Sequence, residues 1–182
     1  MKINRHVNGA RERWLKVPVQ SQQYLSWLIE ADSLTARLQN RYTDFFVRVV
    51  RVVSQHPSHE EAKLLNVPAR EHAQIREVLL FGKAKPVVFA HSVLPHRSLR
   101  GGWRSLGKLG NKPLGAVLFA NLNVKRSPFS YKKLHAHHPL YQAAVQHLSE
   151  QPRYLWARRS IFSLSCANIM VVEIFLPELM QS

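Results

Sequence analysis

Ile75-Arg76-Glu77-Val78-Leu79-Leu80-Phe81, then Gly82-Lys83-Ala84-Lys85, then Pro86-Val87-Val88-Phe89-Ala90-His91-Ser92-Val93-Leu94 is the stretch from which the fold can be read. Two strand-length apolar runs separated by four residues that include a glycine predict an antiparallel hairpin. Arg76 stands alone as a cation in the first run. A matching run near the C-terminus, Met170-Val171-Val172-Glu173-Ile174-Phe175-Leu176-Pro177, carries one carboxylate, Glu173. A charge in such a run costs several kcal/mol (order of magnitude) if the interior offers no partner. The partner is either the other charge, as a structural ion pair, or something bound between them. A cavity with a fixed cation at one end and a carboxylate at the other suits a small acid that also carries a hydroxyl. The planar fork of arginine matches a carboxylate, and a buried glutamate can orient a hydroxyl or shuttle a proton.

Outward from this hairpin, Ser21 is positioned to cap a helix over residues 22–29, with Tyr24, Leu25, Leu28 and Ile29 on one face. Asp32 or Ser33 starts a second, from Leu34 to Leu38. Tyr42 to Val53 reads as a strand, and residues 56–61 read as a linker. Residues 98–112 are polar and glycine-rich, and read as a mobile loop able to act as a lid. Pro113 opens a helix through Phe119, and Pro139 to Leu148 forms another. Residues 153–166 and 169–176 form a second strand pair turning at Ala167-Asn168. Helices come first and hairpin-connected strands follow. This predicts an α+β fold with a single antiparallel sheet of about six strands, and argues against a doubly wound parallel sheet.

The chain has 182 residues, 46% hydrophobic, which suits one domain spanning 1–182 with a real core. Residues 1–13 are polar and basic and are expected to be poorly ordered. No apolar run approaches the roughly 20 residues that span a bilayer, and no apolar stretch follows the basic N-terminus as a signal peptide requires. The single cysteine, Cys166, forms no internal disulfide, which suits the cytoplasm. Net charge is +15, pointing to anionic metabolites or to a solvated basic surface. The basic clusters at 97–104 and 125–133 lack the aromatic interleaving of a nucleic-acid module.

Other motifs carry less. His135-Ala136-His137-His138 lacks the cysteines and acids of a metal centre and reads as a loop cluster, with no metal and no cofactor expected. Arg158 and Arg159 sit in a strand run, so alternation sends them to opposite faces. The glycines and lysines of 107–115 do not match a phosphate loop. Nucleophilic catalysis has no motif here.

Five blocks taken together resemble the chorismate lyase family. They are Trp27-Leu28 with Asp32-Ser33-Leu34-Thr35; Arg76-Glu77-Val78-Leu79-Leu80; Ser92-Val93-Leu94-Pro95; Leu109 to Gly115 with Leu118-Phe119; and Trp156-Ala157-Arg158-Arg159-Ser160 running on to Glu173-Ile174-Phe175-Leu176-Pro177. The resemblance implies a cofactor-independent enzyme converting chorismate to 4-hydroxybenzoate and pyruvate, at the entry to ubiquinone synthesis. It implies helices packed on one side of the sheet, and helix-turn-helix flaps closing a buried ligand site. It aligns Arg76 with a ring-carboxylate anchor and Glu173 with a hydroxyl partner, both catalytic, and gives Leu34 and Leu114 main-chain contacts to the substrate. Leu34 replaces a methionine of the family pattern, and Ala90-His91 stands where some relatives have Gly-Arg. Arg158, Arg159 and His91 are candidates for the second substrate carboxylate. The expected partners are chorismate and 4-hydroxybenzoate, with no nucleic acid and no membrane span, and with the chain a monomer. A non-catalytic effector-sensing domain of the UTRA type is the alternative.

Overall fold

In the computed structural model, which describes residues 13–181, strands β2 (Ala73–Gly82) and β3 (Lys85–Pro95) form the expected hairpin. Its turn is tighter than the sequence suggests. Lys83 and Ala84 make it alone, both with positive φ, 50° and 57°. Two successive left-handed residues match the right-handed twist of paired strands. Asp44 holds them, its Oδ1 accepting from the Lys83 N–H at 2.9 Å and its Oδ2 from the Ala84 N–H at 2.8 Å. Gly82 is required next to the turn, because a Cβ there would lie 2.3 Å from the Tyr42 ring.

Strand β1 (Phe46–Gln55) pairs with β2, while β6 (Leu155–Leu164) pairs with β7 (Ala167–Phe175), which in turn pairs with β3. Two short strands, β4 (Lys125–Arg126) and β5 (Ser130–Leu134), bind different stretches of β6. The result is one antiparallel sheet of order β1-β2-β3-β7-β6-β4, with β5 also on β6. The α+β class and the single antiparallel sheet match the sequence reading. Among the described residues the sheet has seven strands against the about six expected, because β4 and β5 lie within what reads as a basic cluster.

Helices cover both faces of the sheet, not one. On one face, α3 (His59–Leu65) and α6 (Pro139–Val145) pack over Ile75, Leu79, Phe89, Val93, Met170 and Val172. On the other lie α1 (Leu25–Leu28, after a 3₁₀ turn at Gln22–Tyr24), α2 (Leu34–Arg41) and α5 (Leu114–Ala120). The physical reason is visible in the strands: β2, β3 and the first part of β6 are almost wholly buried on both faces, so each face needs a cover.

Several expectations change on folding. Residues 56–61 hold the start of α3, not a linker. Ser58 and Glu61 form a reciprocal capping box there. Residues 98–112 are not a polar loop. They begin inside α4 (His96–Arg100) and contain a 3₁₀ turn (Arg104–Lys108), and Trp103, Leu106 and Leu109 are buried. Their three-residue spacing puts them on one helical face, a signal obscured by the surrounding glycines and cations. Trp27 and Leu28, rather than Tyr24, Leu25 and Ile29, form the buried face of the first helical segment, and Ser21 makes no side-chain cap. Ser33 does cap α2, accepting from the Ala36 N–H. The β6–β7 turn is at Ser165-Cys166, leaving Cys166 exposed. Most of the expected poorly ordered start, residues 1–12, lies outside the described residues. No described helix is long and apolar enough to cross a membrane.

Candidate active site

Alternation along the strands sorts the charged residues by face. Arg76, Val78 and Leu80 of β2, Val88, Ala90 and Ser92 of β3, and Val171 and Glu173 of β7 share the face under α2 and α5. In register, Arg76 lies opposite Ser92 and Ser92 opposite Val171, while Ala90 lies opposite Glu173. Arg76 and Glu173 are therefore two strands apart and two residues offset, a Cα separation of roughly 12 Å from ordinary sheet spacings. Together they line one cavity with Leu34, Thr35, Ser92, Leu114 and Phe119. The cavity offers about 50 Å³ to the centres of water-sized molecules, several times the roughly 10–15 Å³ that one water needs.

The two charges do not pair with each other. Arg76 is 2% exposed, and its Nη2 donates to the carbonyls of Gly110 and Lys112 at 3.0 and 3.1 Å. Among the described residues no carboxylate pairs with it, and burial pulls its pKa below the ordinary arginine value. Its Nε and Nη1 keep free donor capacity. Glu173 accepts from Arg158 Nε through Oε2 at 2.5 Å, which leaves Oε1 without a described partner. The cavity thus has an unneutralised cation at one end, a half-used carboxylate at the other and an apolar wall between. Such an arrangement has the charge pattern that would orient a small anion.

The helices that close the cavity meet at Gly115. A Cβ there would lie 2.8 Å from Thr35 Oγ1, so the glycine lets α5 approach α2. Leu34 and Leu114 are each the first residue of their helix, on opposite sides of this contact.

Arg159 and His91 are on the other face and are not available to a ligand in this cavity. Arg159 pairs with Glu60 at 2.7 Å and lies over the Trp14 ring. His91 is bracketed by Glu77 on Nδ1 and Glu61 on Nε2, each at 3.1 Å. Burial works against its positive charge, but the hydrogen bonds it donates to both carboxylates outweigh that and raise the pKa to about 9. Sequence reading missed this triad, because Glu61 sits in an apparent linker and Glu77 beside the more conspicuous Arg76. Of the histidine cluster, His138 caps α6, its Nδ1 accepting from the Leu140 N–H. Its ring stays neutral: burial and the nearby Lys132 lower its pKa to about 4. Ser92 and Thr35 were also missed as lining residues. The visible signal was parity, since Ser92 lies two positions from Ala90 in a mostly apolar strand.

The chorismate lyase family profile matches residues 11–182. A protein of Methylobacillus flagellatus named "Probable chorismate pyruvate-lyase" is 43% identical over 94% of this chain and 96% of its own length. One of the same name from Thiobacillus denitrificans is 42% identical over 94% and 92%. The effector domain of PhnF from Mycobacterium smegmatis has a similar fold, with a TM-score of 0.57 at 11% identity over 81% of this chain and 90% of that one. The fold is thus shared with effector domains, but the sequence match over nearly the whole length is to lyases, and the chain belongs to the chorismate lyase family.

Proposed function

We propose that this protein is a chorismate pyruvate-lyase that releases 4-hydroxybenzoate and pyruvate, supplying the aromatic acid from which ubiquinone is built. The observation that carries the reading is Arg76: a buried guanidinium without a carboxylate partner among the described residues, facing a largely apolar cavity that ends at Glu173. Arg76 anchors the ring carboxylate through its open N–H groups. Glu173 Oε1 accepts from the ring hydroxyl at the far end. The main chain at Leu34 and Leu114, at the starts of the two covering helices, completes the ring's surroundings.

The reaction is an elimination. The bond between the ring carbon and the enolpyruvyl oxygen breaks, and the hydroxyl-bearing ring carbon loses its proton. The ring becomes aromatic, and the departing enolpyruvate takes up a proton to become pyruvate. No electron leaves the system. Glu173 either receives that proton or orients the hydroxyl while the proton passes within the substrate. Fixed geometry and exclusion of water lower the barrier. The product keeps both of the substrate's polar handles, the carboxylate and the hydroxyl, so its release through the covering helices is expected to be slow.

The test is purified protein with chorismate, with 4-hydroxybenzoate followed by absorbance and pyruvate by a coupled reaction. Both products should appear in equal amounts. Arg76→Ala should weaken 4-hydroxybenzoate binding at least ~100-fold, as two charge-assisted hydrogen bonds of roughly 1.5–3 kcal/mol each are lost. Near-normal binding by that variant in calorimetry would overturn the anchoring role. The likeness to an effector domain favours a second reading, a non-catalytic sensor of a small acid. It predicts tight binding with no pyruvate formed.

A further inference from the structure

One buried side chain connects Glu173 to the segment that leads into α2, one of the helices lining the cavity. Arg158 is 1% exposed. Its Nε donates to Glu173 Oε2 at 2.5 Å. Its Nη1 faces the main-chain carbonyls of Trp27, Leu28 and Glu30 at 2.9, 3.3 and 2.7 Å. These carbonyls belong to the end of α1 and the turn that follows, which leads directly into α2 with Leu34 and Thr35. Arg158 does not itself line the cavity. Its guanidinium carbon lies 4.3 Å from the centre of the Phe129 ring, and that of Arg126 lies 4.4 Å from the same centre. Arg126 Nη2 donates to the next carbonyl of the segment, that of Ala31. Two arginines packed on one phenylalanine therefore grip consecutive stretches of the segment that leads into α2, and of the two only Arg158 also grips Glu173.

We infer that Arg158 is a positioning residue that couples closure of the 27–33 segment to the orientation of Glu173. With the segment in place, the guanidinium is fixed by carbonyls on one side and holds Oε2 on the other, which leaves Oε1 for the ligand. With the segment lifted, the same cation loses its main-chain acceptors and is left with Glu173 alone in an apolar setting. Such a group swings toward water, and the carboxylate loses its fixed geometry. Conversely, a ligand held by Oε1 fixes the carboxylate, hence the arginine, hence the segment. The catalytic half of this inference rests on the lyase reading; the closure half does not.

Arg158→Met and Arg158→Lys test it, with Arg37→Met as comparator. Arg37 donates to the Ser26 carbonyl just before this segment and to Glu30 within it, and stacks on the Trp27 ring, but does not touch Glu173. Amide hydrogen exchange on the ligand-free protein reads closure. In Arg158→Met, exchange across 25–33 should rise about tenfold or more while central amides of β6 and β7 stay protected. Chorismate turnover reads positioning: kcat should fall about 100-fold, and 4-hydroxybenzoate should dissociate at least ~10-fold faster as the latch weakens. Arg37→Met, which loses contacts to the same segment but none to Glu173, should lower kcat only to the extent that it raises exchange across 25–33. If Arg158→Met does not fold, Arg158→Lys carries the test. An ammonium keeps the charge but cannot fork to both partners, so wild-type exchange together with wild-type kcat in this variant overturns the inference. Faster exchange with unchanged kcat reduces Arg158 to a structural latch and overturns the positioning role. Lower kcat with unchanged exchange overturns the coupling. Absence of turnover in the wild type would refute the lyase reading, while the exchange arm still decides closure.

Discussion

At the scale of single residues, the molecule spends its buried charges in two different ways. On the helix-α3 face the charges satisfy one another: His91 lies between Glu61 and Glu77, and Arg159 pairs with Glu60. On the cavity face, Arg76 is left with carbonyls and Glu173 with one free oxygen. The first arrangement is structural and predicts a pH dependence of stability. The folded value of His91, about 9, lies above its ordinary 6.5. Its contribution is therefore complete below pH ~6.5 and is lost as pH rises through ~9. The pKa values of Glu61 and Glu77 are depressed; burial opposes the shift at Glu61, and the hydrogen bond from His91 drives it at both. Their contribution is present above the ordinary carboxylate range and is lost as pH falls below it. Urea titrations of His91→Gln should accordingly show a loss on the order of 3 kcal/mol near pH 6, shrinking towards pH 9. A loss that stays constant across that range would contradict the assignment. The second arrangement is functional. Glu173→Gln should leave folding nearly intact and lower kcat by about 10²–10⁴-fold, the usual contribution of a positioned acid–base group. Here the sequence was informative in part. A lone arginine and a lone glutamate in apolar runs were conspicuous, but Glu77 and Glu61 were not, because nothing local distinguishes a carboxylate that faces a histidine from one that faces water.

Among the elements, two contacts carry the design. The β2–β3 turn places Ala84 in the left-handed region, where a side chain strains the backbone by about 1 kcal/mol. Ala84→Gly should therefore raise stability by roughly 0.5 kcal/mol, after the added freedom of the unfolded chain is deducted. Gly82→Ala should destabilise strongly, because the Tyr42 ring occupies the space; thermal melts of the two variants should move in opposite directions. The second contact joins α2 to α5 through Gly115 and Thr35. Gly115→Ala should act as a wedge between the covering helices. Calorimetry should find 4-hydroxybenzoate binding weakened about tenfold or more, with the melting temperature changed by only a few degrees. The central strands were legible because their apolar runs are long. The α3 helix was not, although Ser58 and Glu61 stand at capping-box spacing, because two histidines and a proline around them read as linker. Nor was the segment 98–112, whose buried Trp103, Leu106 and Leu109 are separated by arginines and glycines that dominate the composition.

For the molecule as a whole, the excess of positive charge is a long-range property. A protein of net charge +15 attracts a dianion before any contact forms, and salt screens that attraction beyond about a Debye length. Raising the ionic strength from low salt to about 0.5 M should slow association of chorismate roughly tenfold while leaving dissociation nearly unchanged; stopped-flow measurement of both rates checks this. Composition and hydrophobic pattern alone determined that the chain builds an α+β fold on one antiparallel sheet, because the length of each apolar run and the turn residues between runs are local properties that survive without knowledge of neighbours. They also marked Arg76 and Glu173 as charges in need of partners. The tertiary structure alone decided which face each charge occupies, that both faces of the sheet are covered, and that Arg158 rather than Arg76 is the partner of Glu173. Pairing across strands depends on register, and register is fixed by contacts between residues far apart in the chain, where a shift of one position exchanges the two faces.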